Sequence, residues 1–311
     1  MKKIHTITLN PAIDRMLYLN EYKSEITNRL SKVVDGLGGK GTHVSINLAI
    51  LGLENQAMGI VHGKNGEQII QMLSKERIDV KFQQLEGAES RMNYLVVEDS
   101  GKCTCLSSKG VLLDDQAIED FIKYMDPFIG EGDYLVFSGD ASNCPDPYVY
   151  NKIMKAFAKR NVKVFMDASG ATLCKCVEEK PFLIKPNLDE LTQLCGRKLE
   201  TEEEILEAME TLSGTGIEVI ALSLGGEGSL IYAFGKRFRV KAPKVHVRNT
   251  IGCGDCFLSG LVYGLHQELP MEETLRLATA ISAACAESEL SVGFDPERAE
   301  ELKSQVQMNE L

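Results

Sequence analysis

No stretch of eighteen apolar residues occurs in the 311-residue chain, which leaves no apolar helix long enough to cross a bilayer. No long basic run occurs either. Lys and Arg number 34 against 45 Asp and Glu, a formal net charge of −11, so nucleic acid is not an expected partner. Only five histidines are present, and none lies near the Cys253-x-x-Cys256 pair in sequence. A zinc site, which wants a second such knuckle or nearby histidines, is therefore not expected. There is no internal repeat, low-complexity segment or linker. Met1-Lys2-Lys3 is basic, but the apolar run after it is short and broken by His5, Thr6 and Thr8, as in a first strand and unlike an export signal. The nine cysteines then read as reduced thiols of a cytoplasmic protein.

What remains is ordinary globular composition, 44% hydrophobic and 25% charged, over a length that suits one large α/β domain spanning 1–311. Apolar runs at 4–9, 56–61, 134–137, 162–166, 182–184 and 219–224 read as strands; the later ones are apolar on both faces, which suits buried parallel strands. Helical spacing fills 44–51, 67–73, 148–158 and 202–212. Repeated β-α units predict a doubly wound, mainly parallel sheet flanked by helices. Two regions break the rhythm. Residues 15–19 and 30–35 are short and strand-like with no helix between them, and 91–97 with 102–107 predict a hairpin around Asp99-Ser100-Gly101. Segments at about 14–20, 30–36 and 90–108 are thus expected to form a small β-sheet lid over a cleft.

Four loops carry candidate chemistry. In Asn249-Thr-Ile-Gly-Cys-Gly-Asp-Cys-Phe257, the small residues Gly252, Cys253 and Gly254 precede a strongly apolar helix. Their N–H groups can converge on one anion, aided by the helix dipole. Asp255 beside them would repel phosphate, so it needs a reason to be there. Accepting a proton from an attacking hydroxyl is one; capping the helix is the other. Gly36-Leu-Gly-Gly-Lys-Gly41 matches a dinucleotide loop by letter but lacks the context, and it lacks the Ser or Thr of a P-loop. It reads better as a loop that lets a sugar approach the backbone, with Lys40 supplying charge; a turn with a solvated lysine is the alternative. Lys185-Pro-Asn-Leu-Asp-Glu190 follows a strand end, where open α/β sheets place ligands. Asn187 and Glu190 could orient water around Mg²⁺ or form a capping box. Ser223-Leu-Gly-Gly-Glu-Gly228 could border a nucleotide.

Together these loops resemble the ribokinase-like carbohydrate kinases, the PfkB family. The resemblance rests on 249–257, on Gly38-Gly-Lys-Gly41 and on Lys185-Pro-Asn187 with Glu190, in order across nearly the whole chain. Thr8-Leu-Asn-Pro-Ala-Ile-Asp14, Arg91-Met-Asn93 and Asp167-Ala-Ser-Gly170 resemble its phosphofructokinase and tagatose-6-phosphate kinase branch. The resemblance implies an ATP-dependent kinase that phosphorylates a ketohexose monophosphate, fructose 1-phosphate or tagatose 6-phosphate, with Mg²⁺. It implies Asp255 as base, with Gly252, Cys253 and Gly254 as anion hole. It implies Asp14, Gly38, Gly39, Lys40, His43, Arg91, Asn93 and Ser138 on the sugar side. Lys185, Asn187, Ser223, Gly225, Gly226 and Gly228 would serve ATP, and Glu190 the metal. It further implies a homodimer paired through the lid. Two positions depart from the family. His43 stands where an Asn that contacts the sugar is usual, and the run 138–145 replaces the branch's Ser-Gly-Ser-Leu-Pro. Both lie on the sugar side, so they bear on substrate identity and leave phosphoryl transfer intact. A catalytically idle sugar-phosphate sensor and a kinase for an unphosphorylated sugar or nucleoside are the competing readings.

Overall fold

A computed structural model describes residues 2–139, 141–289 and 291–311. Asp140, within the departing run 138–145, lies outside the described residues. The strands in chain order are β1 (Ile4–Thr8), β2 (Ala12–Leu19), β3 (Lys32–Gly38), β4 (Gln56–His62), β5 (Asp79–Leu85), β6 (Arg91–Glu98) and β7 (Cys103–Ser107). They continue as β8 (Tyr134–Ser138), β9 (Lys163–Asp167), β10 (Leu183–Ile184), β11 (Val219–Ser223), β12 (Ser229–Ala233), β13 (Lys236–Lys241) and β14 (Gln307–Glu310).

Ten of them form one sheet in the order β14-β13-β12-β11-β10-β9-β8-β1-β4-β5. The strands from β11 to β5 pair in parallel; β12, β13 and β14 add an antiparallel edge. β1 and β8 are buried along their whole length because helices cover both faces of the sheet. Two large apolar clusters fill those layers, one around Phe121, Phe137 and Tyr150, the other around Phe165, Leu258 and Ile281.

The four segments that break the β-α rhythm form a separate sheet, β3-β2-β6-β7. β6 and β7 pair antiparallel around a turn in which Gly101 adopts a left-handed φ of +84°. Register places Asp14 beside Asn93, and Asn93 beside Ser107, on one face. The other face carries Arg15, Tyr94 and Leu106. The alternation is what a strand requires, and it gathers the polar side chains of Asp14, Asn93 and Ser107 on one face.

The helix Cys253–His266 crosses Met271–Ala286 closely at two glycines. A Cβ on Gly260 would stand 2.4 Å from Ala278 Cα, and one on Gly264 would stand 2.4 Å from Thr274 Oγ1. This crossing fixes the N-terminus of the first helix, where the anion loop lies. Gly260→Ala is expected to force the helices apart and destabilise the fold by about 1–3 kcal/mol through overpacking. Chemical denaturation checks this; an unchanged midpoint would show that the helix pair gives way freely.

Candidate active site

Two cavities meet at the C-terminal ends of the parallel strands. The first, about 510 Å³, is lined by Lys40, His43, Arg91, Asn93, Ser138, Asp167, Lys185 and Asp255, among others. The second, about 610 Å³, is lined by Ser223, Gly225, Gly226, Gly228, Phe257 and other mainly apolar groups. Thr250 and Gly254 line both, so the anion loop is the wall between them.

Gly252 opens that loop's helix with φ +84°, and a Cβ there would lie 2.2 Å from the Ser291 carbonyl oxygen. Only glycine satisfies both constraints. The helix has no side-chain cap, so Asp255 is not a capping residue. Cys253 turns its N–H back onto the Thr250 carbonyl at 3.4 Å. Among the described residues no hydrogen bond uses the N–H of Gly252, Gly254 or Asp255. Of the Gly252-Cys253-Gly254 run expected from sequence, only the Cys253 N–H is engaged, and Asp255 adds a further open donor. The neighbouring Cys285 thiol and burial push the Cys253 thiol up in pKa, which disfavours the thiolate.

Asp255 is buried and faces His43: Nδ1 of His43 lies 2.8 Å from Asp255 Oδ2, and Nε2 lies 2.9 Å from the Leu37 carbonyl oxygen. Both ring nitrogens are thus engaged, and none is free for the sugar contact expected of His43. Burial pulls the His43 pKa down. The hydrogen bond and charge of Asp255, with the Leu37 carbonyl and Asp14, outweigh that pull and leave it above the ordinary imidazole value.

Asp167, at the end of β9, is 2% exposed and sits between two ammonium groups. Lys40 Nζ is 3.4 Å from its Oδ1 and Lys185 Nζ is 3.2 Å from its Oδ2. The Asp167 charge chiefly, and Asp255 and Glu190 in addition, hold the Lys40 pKa above its ordinary value. A Cβ on Gly254 would lie 3.4 Å from Lys185 Nζ, which puts that ammonium beside the anion loop. Lys185, expected on the nucleotide side, thus lines the first cavity.

On the small sheet, Asn93 Nδ2 donates to Asp14 Oδ1 (2.7 Å), and Ser107 Oγ donates to Asn93 Oδ1 (2.7 Å). Arg91 donates to Ser107 Oγ and to the Asn10 carbonyl. Asp14 and Gly38 stand behind the cavity wall: a Cβ on Gly38 would meet Asp14 Oδ1 at 2.2 Å, so the glycine exists to admit the carboxylate. Gly39 caps the helix Lys40–Ile50 with φ +102°. The Ser138 hydroxyl is fully buried on the first cavity and lacks a hydrogen-bond partner among the described residues.

Asn187 and Glu190 form the capping box. Asn187 Oδ1 accepts from the Glu190 N–H (2.8 Å), and Glu190 Oε2 accepts from the Asn187 N–H (2.9 Å). Among the described residues no group of three His, Cys, Asp or Glu could hold a metal ion. A site for Mg²⁺ does not need one, because Mg²⁺ keeps several waters and takes one or two carboxylates plus substrate phosphates. Glu190 lines neither cavity, although its charge reaches Lys40.

Sequence reasoning missed Asp167 as a site residue, although its place at a strand's C-terminal end was a usable signal. Asn10 and Thr250 were passed over inside motifs read for other residues, and Ser107 at the end of β7 was missed as well.

The 1-phosphofructokinase of Bacillus subtilis is 32% identical to this chain over 92% of it and 93% of the relative. The tagatose-6-phosphate kinase of Staphylococcus epidermidis is 29% identical over 99% of this chain and all of that one. Phosphofructokinase-2 of Escherichia coli, solved with fructose-6-phosphate, superposes with a TM-score of 0.90 at 23% identity, covering 98% of this chain and 99% of that one, which establishes the shared fold. The family model described as pfkB family carbohydrate kinase matches residues 7–297, and the chain belongs to that family of ATP-dependent sugar kinases.

Proposed function

We propose that the chain transfers the γ-phosphoryl group of ATP to a free hydroxyl of a ketohexose monophosphate, fructose 1-phosphate or tagatose 6-phosphate, giving the bisphosphate and ADP. The observation that carries the reading is the shared wall. One anion loop faces a cationic cavity on one side and an apolar one on the other, so two ligands can meet across a single phosphoryl group. The adenine and ribose belong in the apolar cavity beside Ser223, Gly225, Gly226 and Gly228. The sugar belongs against Asn93, Gly39 and Ser138, with its phosphate on Lys40 and Arg91. The N–H groups of Gly254 and Asp255 and the ammonium of Lys185 hold the transferring group. Asp255 takes the proton of the attacking hydroxyl as the new O–P bond forms and the bond to ADP breaks. Mg²⁺ near Glu190 would neutralise phosphate charge. The small sheet acts as a lid that keeps water from competing for the phosphoryl group.

A coupled ADP-release screen tests this. Fructose 1-phosphate or tagatose 6-phosphate is expected to exceed fructose 6-phosphate, and unphosphorylated sugars are expected to be at least about 100-fold poorer in kcat/KM, because the cationic pocket would stay unfilled. Preferred turnover of a free sugar or nucleoside would overturn the phosphosugar assignment. Tight binding with no ADP release would favour the idle sensor.

The lid also supports a homodimer. Its outer face exposes Val33 (51%) on β3, Tyr94 (41%) on β6 and Leu106 (57%) on β7. An apolar strip of this kind on a thin sheet is an interface candidate. Leu106→Glu is expected to shift the mass seen in light scattering from dimer to monomer; an unchanged mass would place the interface elsewhere. Free thiols at all nine cysteines suit a reducing cytoplasm.

A further inference from the structure

The His43–Asp255 pair contains more information than proximity. A backbone carbonyl only accepts, so the 2.9 Å contact to Leu37 fixes a proton on His43 Nε2. The 2.8 Å contact between Nδ1 and Oδ2 then needs a second proton between them. A neutral ring would instead aim its lone pair at a carboxylate. Both side chains are about 6% exposed, so hydration does little to relieve that conflict. Resting on the kinase reading, we infer that His43 is an imidazolium paired to the catalytic base, a positioning residue that holds Oδ2 of Asp255 and leaves Oδ1 for the acceptor hydroxyl.

The need for such a partner is visible in the cleft. Lys40 and Lys185 already share Asp167, and the Lys40 ammonium also feels the charge of Asp255. A loose Asp255 carboxylate would turn toward these cations and away from the hydroxyl. His43 comes from the helix Lys40–Ile50 and Asp255 from Cys253–His266, so the contact also ties the sugar loop to the anion loop. The other charged groups facing the pair are Asp14 from β2 and Lys40 on the histidine's own helix.

A sign follows. Below the His43 titration the shared proton is present and Oδ2 is held. Above it, Nε2–H stays on Leu37, the bare Nδ1 repels Oδ2, and the base loses its aim. The stability contributed by the pair runs the same way, present at lower pH and lost as pH rises through the folded-state titration.

Two measurements decide the matter. ¹⁵N NMR of histidine-labelled wild-type protein, with the His43 signal identified by its loss in His43→Asn, should show both ring nitrogens protonated at pH 7. Deprotonation should come only on the alkaline side of the ordinary imidazole range, and Asp255→Asn should move it down. A neutral His43 at pH 7 overturns the inference, and this readout stands whether or not the phosphosugar assignment does. The second is the pH profile of kcat. Wild type should lose activity on that same alkaline limb. His43→Asn, which donates at every pH, should lose roughly tenfold in kcat, hold both KM values within about twofold, and lack the limb. Should the shorter amide fail to fold, His43→Gln serves in its place. A retained limb, or a raised sugar KM at unchanged kcat, removes His43 from the base and returns it to sugar contact.

Discussion

Asp255→Asn is expected to lower kcat by about 10²–10⁴-fold while ATP affinity stays within about twofold of wild type. The carboxamide keeps the size and shape of the buried side chain, so the helix N-terminus and its open N–H groups survive. What it loses is the ability to accept a proton. The acceptor hydroxyl must then shed its proton to water from a closed cleft as the phosphoryl group arrives. The stabilising donors of Gly254 and the ammonium of Lys185 remain in place, so a residual rate persists and binding is kept. The measurement is steady-state kcat with the preferred ketose phosphate, paired with calorimetric ATP binding. Turnover within tenfold of wild type would take the base role away from Asp255. A matching loss of ATP binding would show a collapsed loop, with chemistry untested by that variant but the Gly254 donor arrangement refuted.

Much of this arrangement was legible in the residues. Buried parallel strands such as β8 announce themselves as short apolar runs, because both faces are covered and every position pays the same solvation penalty. The small sheet was legible for the opposite reason, since two adjacent strand-like segments with no helix between them cannot belong to a β-α repeat. β5, β13 and β14 were not legible, and the short buried β12 was passed over as well. Lys236, Lys241, Gln307 and Asp79 expose charged or polar side chains on strands at or near the sheet edges, and such segments look like loops. Site residues divided in a similar way. Glycines that must admit a ligand or take a left-handed turn leave a mark in sequence, as at Gly39 and Gly252. Partnerships across 212 residues, like His43 with Asp255, leave none. A sugar contact was therefore expected of His43, on the grounds of the residue it replaces, while both its ring nitrogens are engaged within the protein, by Asp255 and by the Leu37 carbonyl. Asn187 and Glu190 showed the converse. Their spacing allowed a metal role and a capping box, and the helix start realises the box without using both oxygens of Glu190.

Lys40→Ala is expected to raise the KM for the phosphosugar by roughly 10- to 150-fold, the equivalent of a lost charge-assisted contact of about 1.5–3 kcal/mol, with ATP KM nearly unchanged. The chain carries −11 overall, so any site for a sugar phosphate depends on local cations. The first cavity supplies Lys40, Arg91 and Lys185 against Asp167 and Asp255. Lys185 lies beside Gly254, and on the proposed function it serves the transferring group, with Lys40 and Arg91 for the acceptor's own phosphate. Lys40 is half-exposed with its ammonium only loosely held, 3.4 Å from Asp167, so it can turn to an arriving dianion without leaving a buried carboxylate orphaned, because Lys185 stays on Asp167. That same pairing keeps the variant folded, and a normal denaturation midpoint would confirm it. Arg91→Ala should act in the same direction. Raising ionic strength should raise the wild-type sugar KM and affect Lys40→Ala less, since the variant has one fewer charge to screen. If sugar KM stays put in both variants, the acceptor phosphate is held elsewhere, and Lys40 then serves only to balance Asp167.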